Sequence, residues 1–136
     1  MVRRVGKLRG VWPATPWLLL ASLLVGLLAG CGSPVSPEQL EAMSKLQALG
    51  ARINSKRGGY EVELDETTVA DRDLVHLQKI VNLKNVDLTG TRITDAGLEY
   101  LKPIKSLEYV ILTRTTVTPE AVDELRKALP NADVRK

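Results

Sequence analysis

Apolar positions along the chain from Tyr60 onward recur at a spacing of 24. Leu83 and Leu107, Val86 and Val110, Leu88 and Leu112, Ile93 and Val117, Leu98 and Val122, and Leu101 and Leu125 all fall in step. One period earlier stand Val62, Leu64, Val69, Leu74 and Leu77, and Ile80 matches Ile104. A polar column holds Thr67, Thr91 and Thr115, while Gly59 replaces leucine at the start of the first copy. A fixed period between roughly 20 and 50 residues is the signature of stacked supersecondary units, none of which can bury its apolar side alone. Within each copy the spacing is two at first (Val62/Leu64, Val86/Leu88, Val110/Leu112) and then three (Leu74/Leu77, Leu98/Leu101, Val122/Leu125). The first suits a strand with alternate faces, the second a helix stripe.

The pattern predicts an α/β solenoid of three strand-turn-helix units, at about 59–82, 83–106 and 107–130, whose strands form a parallel sheet. Outer helices are expected over 71–79, 95–102 and 119–129. Thr118-Pro119-Glu120 supplies a capping hydroxyl, a proline at the first helical position and an acid in the first turn, and Thr94-Asp95 and Asp71 do so less completely. Pro103 and Pro130 would stop the second and third. Upstream, Ser36-Pro37 opens a helix over 37–49 whose stripe is Leu40, Met43, Leu46 and Leu49, ended by Gly50. Ile53, the turn Lys56-Arg57-Gly58-Gly59 and the alternating Tyr60–Leu64 then predict a β-hairpin. Helix and hairpin together cap one end of the stack over 37–58, and Val134 sits in a short edge strand within 131–136, where charged Asp133, Arg135 and Lys136 discourage further pairing.

The run LxxVDLTGTRITDAGLEYL, from Leu83 to Leu101, resembles the bacterial leucine-rich repeats built of a short strand and a helix. The resemblance covers roughly residues 59 to 134. It implies a curved stack with strands on the concave side and helices outside. In that family the turn position is usually Asn or Cys, bonded to buried backbone; this chain carries Thr67, Thr91 and Thr115 there, and a hydroxyl can both donate and accept. The resemblance speaks to fold and is nearly silent on function.

The segment before Cys31 is of a different kind. Arg3, Arg4, Lys7 and Arg9 are followed by an apolar run, Trp17 to Ala29, broken only by Ser22 and Gly26. That is a basic head and a short apolar core, well below the ~20 residues a membrane-spanning helix needs. Residues 1–30 are therefore expected to be an export signal. It closes on Leu28-Ala29-Gly30-Cys31, which resembles the bacterial lipobox. The resemblance implies cleavage before Cys31, a diacylglycerol thioether on its sulfur and often acylation of the new amine. Several acyl chains hold a protein to a bilayer, each buried methylene contributing about 0.8 kcal/mol. The other readings of Cys31 are a free buried thiol or an uncleaved anchor; as the only cysteine it has no partner in the chain for a disulfide. Gly32 and Ser33 follow it, without the aspartate that marks inner-membrane retention in some bacteria, so the choice of membrane stays open.

Residues 31–36 would be the lipidated cysteine and a tether, and six residues reach at most ~20 Å. The folded part, 37–136, is thereby kept near the lipid surface. Removing the signal also changes the charge. The whole chain is +3, but the segment before Cys31 holds four of its 19 basic side chains and none of its 16 acidic ones, which leaves 15 against 16 and a net of −1. No basic patch interleaved with aromatics remains, so nucleic-acid binding has no support.

Candidate chemistry lies on the strand faces opposite the buried residues. These are Glu61, Glu63 and Asp65, then Asn85, Asp87 and Thr89, then Tyr109, Ile111 and Thr113, followed by Asp133 and Arg135. This concave face is expected to be acidic at its first strand and apolar around Tyr109 and Ile111. Exposed apolar side chains beside polar ones suit a protein-binding surface; the plainer reading is a solvated sheet face on a structural envelope lipoprotein. No HExxH, no Cys/His cluster, no phosphate loop and no GxSxG occurs, and the lone His76 falls on the outer side of a helix. No enzyme activity, cofactor or metal is expected. The third reading, a weak cation site at Glu61, Glu63 and Asp87, needs hard oxygen ligands that an open sheet holds loosely. The sequence thus points to an exported, lipid-anchored protein whose partners are a membrane, through Cys31, and an unidentified protein.

Overall fold

The computed structural model describes residues 35–136. The expected signal and Cys31 lie outside the described residues. The described part is a mixed α/β unit in which helices and strands alternate around an open five-stranded sheet.

Helix α1 (Pro37–Ala48) begins as its residues dictate. The Ser36 hydroxyl accepts from the Gln39 N–H at 3.2 Å, Pro37 takes the first helical position, and Glu38 and Lys45 complement the two ends of the helix dipole. Its buried face is the expected one in part: Leu46, Met43 and Leu49 pack on the core, whereas Leu40 does not. Gln39, Ala42 and Leu46 are buried, Met43 and Leu49 are half-buried, and Leu40 is 64% exposed. A step of three positions falls about 60° short of a full turn, so the three steps from Leu40 to Leu49 sweep half the helix circumference and cannot share one face. The Gln39 amide nitrogen is buried without a hydrogen-bond partner among the described residues.

The hairpin forms from β1 (Arg52–Lys56) and β2 (Gly59–Glu63), with Lys56 opposite Gly59 and Arg52 opposite Glu63. Strands β3 (Leu83–Asp87), β4 (Tyr109–Ile111) and β5 (Asp133–Arg135) then add one after another, each parallel to the last. Val62 pairs with Val86, Val86 with Val110, and Val110 with Val134, each one sequence period on. The leucines two places further repeat the same backbone bond: Leu64 N–H to Asp87 carbonyl at 2.8 Å, Leu88 to Ile111 at 2.9 Å, and Leu112 to Arg135 at 2.7 Å. Gly59 explains its break with the leucine column. A Cβ there would meet the Asn82 carbonyl at 2.2 Å, because Tyr60 N–H reaches that same carbonyl to start the β2–β3 pairing.

Strands β2, β3 and β4 leave the sheet through the same turn. Glu66, Gly90 and Arg114 have φ of 55°, 69° and 58°, and the threonine after each donates its hydroxyl to the carbonyl three residues back. These bonds are Thr67 to Leu64 at 2.6 Å, Thr91 to Leu88 at 2.7 Å and Thr115 to Leu112 at 2.7 Å. The Leu64 and Leu88 carbonyls also accept from the N–H of the same threonine at 3.2 Å, so the hydroxyl gives each a second donor. Only the middle left-handed position is glycine, and there is a second reason for it. The Glu66 side chain crosses Gly90 to pair with Arg114, and a Cβ on Gly90 would meet that carboxylate at 2.7 Å.

The outer elements follow the expected order but not the expected shape. Asp71–Lys79 is a 3-10 helix, α2 (Asp95–Leu98) is a single turn continued by irregular turns, and α3 (Pro119–Ala128) is a regular helix. Thr118 caps α3 by accepting from Ala121 N–H at 3.3 Å. Thr94 does not cap α2. Its hydroxyl and N–H instead donate to Asp71 at 2.6 and 2.7 Å, as those of Thr118 do to Asp95 at 2.9 and 2.7 Å. Asp71 and Asp95 stand at the expected helix starts and also fasten one outer segment to the next.

Sheet and outer elements enclose one core. Leu64, Leu74, Leu77, Leu88, Ile93, Leu101, Leu112 and Leu125 have no exposed surface. At the end of the sheet Val134 is 3% exposed, and Arg126 donates to its carbonyl at 2.8 Å, so that edge carbonyl is already occupied.

Candidate functional site

Alternation along the strands and a register of one period between them produce two rows across the sheet. One row runs Glu61, Asn85, Tyr109, Asp133, and the other Glu63, Asp87, Ile111, Arg135. The side chains at these positions stand on the face opposite the buried valines. Together they line an open hollow of about 220 Å³. Of the sequence-predicted residues, Glu61, Glu63, Asn85, Asp87, Tyr109, Ile111 and Arg135 meet there, joined by Asp133. Asp65 does not line it; its carboxylate pairs with Arg52 at 2.9 Å.

The electrostatics differ from the acidic patch expected at the first strand. Strand β1 brings two cations alongside it. Lys56 pairs with Glu61, and Arg52 bridges Glu63 at 2.8 Å and Asp65 at 2.9 Å. Glu61 also accepts from the Asn85 amide at 3.1 Å. The Lys56 ammonium, helped by that amide, holds the Glu61 carboxyl below its usual range. Glu63, and then Asp65, raise Arg52 further above its already high value. At the far end Arg135 donates to Asp133 at 2.8 and 2.6 Å, which raises Arg135 in the same way. The two-residue turn fixes which residues oppose each other, so counting back from Gly59 places Arg52 opposite Glu63. That count was available in the sequence.

The centre of the face is different. Asp87 accepts twice from Thr89, at 2.9 Å from its N–H and 2.6 Å from its hydroxyl, both on one carboxylate oxygen. Among the described residues no cation pairs with it. Beside it, Ile111 is half-buried and Tyr109 is 49% exposed, the largest apolar surface on the face.

No protein-family model and no curated protein matches the chain.

The hollow lies below the roughly 300–1,000 Å³ typical of small-molecule pockets and is open along one side. Such a shape suits side chains presented by another macromolecule better than a whole small molecule. Among the described residues no group of three or more His, Cys, Asp or Glu is arranged to hold a metal ion. None of the described helices is long and apolar enough to cross a membrane. His76 is half-buried on the 3-10 helix, beside Glu41, Lys45 and Val75 and away from the sheet face.

Proposed function

We propose that this chain is a leucine-rich-repeat solenoid, exported and lipid-anchored to the bacterial envelope through Cys31, that serves as a protein-interaction module. The parallel pairing of Val62, Val86, Val110 and Val134 at a constant step of 24 supports the solenoid. The lipobox Leu28-Ala29-Gly30-Cys31 and the basic, apolar head before it support the anchor. With a tether of six residues, Pro37, where the folded part begins, stays within ~20 Å of the lipid.

One observation carries the binding role. Tyr109 and Ile111 share a face with paired and unpaired polar groups and remain accessible. A partner gains from burying such side chains. Tyr109→Ala combined with Ile111→Ser should abolish partner capture in a crosslinking pull-down from solubilised membranes and leave the unfolding transition in place. Unchanged capture by the folded variant would remove the sheet face as the binding site. Mass spectrometry of the same material tests the anchor, since it should show an N-terminal Cys31 carrying acyl chains.

A further inference from the structure

We infer, granted the docking role proposed above, that the partner inserts a lysine or arginine side chain whose stem lies on Tyr109 and Ile111 and whose charge meets Asp87. The charges of the face point this way. Five carboxylates (Glu61, Glu63, Asp65, Asp87 and Asp133) face three cations, a local net of −2, and every one of those cations is already engaged by a carboxylate other than Asp87. Asp87 keeps one oxygen without a protein donor among the described residues, since both Thr89 bonds fall on the other. A partner's cation therefore meets a carboxylate that no internal pair has to release.

The apolar neighbours complete the complementarity. Ile111 is the register partner of Asp87, so the two side chains rise from strands about 4.8 Å apart. Tyr109 lies on the diagonal, roughly 7–8 Å away. A long aliphatic stem ending in a charge covers both distances, with its methylenes on Tyr109 and Ile111 and its cation at Asp87. An acidic side chain at the same place would be repelled, and a short polar one would leave Tyr109 wet. Lys56, Arg57 and Lys84 gather at the strand starts, which directs an incoming cation to the Asp87 end instead.

The test uses the full chain in detergent and three fluorescein-labelled peptides of equal length, alternating valine with lysine, glutamine or glutamate. The lysine peptide should bind by fluorescence anisotropy and lose affinity as salt rises. Asp87→Asn keeps the oxygen that accepts from Thr89 and should leave the unfolding midpoint alone, yet weaken the lysine peptide about tenfold. Tyr109→Ala should weaken it as well. Equal binding of all three peptides, or an Asp87→Asn variant that binds the lysine peptide as well as wild type, overturns the cation inference while leaving a docking face. Absence of binding by any peptide at millimolar concentration overturns it too. Lysine-peptide binding unaffected by both Tyr109→Ala and Ile111→Ser moves the site elsewhere and overturns the docking reading itself.

Discussion

Truncating Leu88 to alanine removes a side chain from the middle of the core. Leu88 is 0% exposed, and Leu64 and Leu112, one strand to either side, are 0% exposed as well. The backbone around it is held by Leu88 N–H to Ile111 at 2.9 Å and by the Thr91 hydroxyl on the Leu88 carbonyl at 2.7 Å. A site fixed on both sides collapses little, so the loss belongs in the upper part of the ~2–5 kcal/mol range for buried leucine truncation, about 3–5 kcal/mol. That is a large share of the ~5–15 kcal/mol a domain of this size has. Urea unfolding monitored by circular dichroism should show a lower midpoint with an unchanged slope. The pairings extend the test. Leu88→Ala with Leu112→Ala share one cavity and should depart from additivity by ~0.5–3 kcal/mol, whereas Leu64→Ala with Leu112→Ala lie two strands apart and should add within ~0.5 kcal/mol. A cost for Leu88→Ala below ~0.5 kcal/mol, as at a surface site, would refute the placement of this column in the core. Stronger coupling between Leu64 and Leu112 than between neighbours would refute the strand order.

Three further outcomes follow from particular groups. Thr91→Val deletes a buried hydroxyl bond at 2.7 Å and should cost about 1–2 kcal/mol, more than Thr115→Val, where the same bond is half-buried and water can replace it; equal costs in urea unfolding would contradict this. Because the Glu61 carboxyl is held below its ordinary value of 4.5, its contribution to stability is fully present above that value and is lost as pH falls through the lower folded one. The advantage of wild type over Glu61→Gln should therefore shrink on acidification, and an advantage that grows toward low pH would reverse the assigned sign. Gln39→Met removes a buried amide without a partner and should raise stability by about 1 kcal/mol. A fall instead would mean that the amide is bonded through water.

What the sequence made legible follows from periodicity. Once Val86 is set opposite Val110, spacing alone brings Val62 and Val134 into line, and it sends Tyr109 and Ile111 to the other face. The turn threonines were legible for the same reason, being three identical residues at one step. Features that depend on contacts between segments were harder to see. Asp71 and Asp95 do open their helical segments, but that their carboxylates accept from Thr94 and Thr118, 23 residues away, is invisible when each segment is considered alone. Capping chemistry marks where a helix starts and says little of its pitch or length, so a 3-10 helix stands at Asp71–Lys79 and a single turn at Asp95–Leu98. The α1 stripe kept Met43, Leu46 and Leu49 but lost Leu40, because three-residue spacing drifts around a helix, and the buried Gln39 breaks the apolar rule. At the sheet face all the named residues but Asp65, Thr89 and Thr113 line one hollow, while Arg52 and Lys56 pair with its first-strand carboxylates from the neighbouring hairpin strand.

The proposed docking role is tested most directly by a photo-crosslinking amino acid placed at position 109 of the full-length, membrane-bound protein. The same group at Glu99, exposed on the outer side beyond α2, serves as the control. The account predicts a discrete crosslinked species from position 109, absent from position 99 and suppressed by Asp87→Asn. Equal crosslinking at both positions, or none at 109 while the outer site reacts, would contradict it.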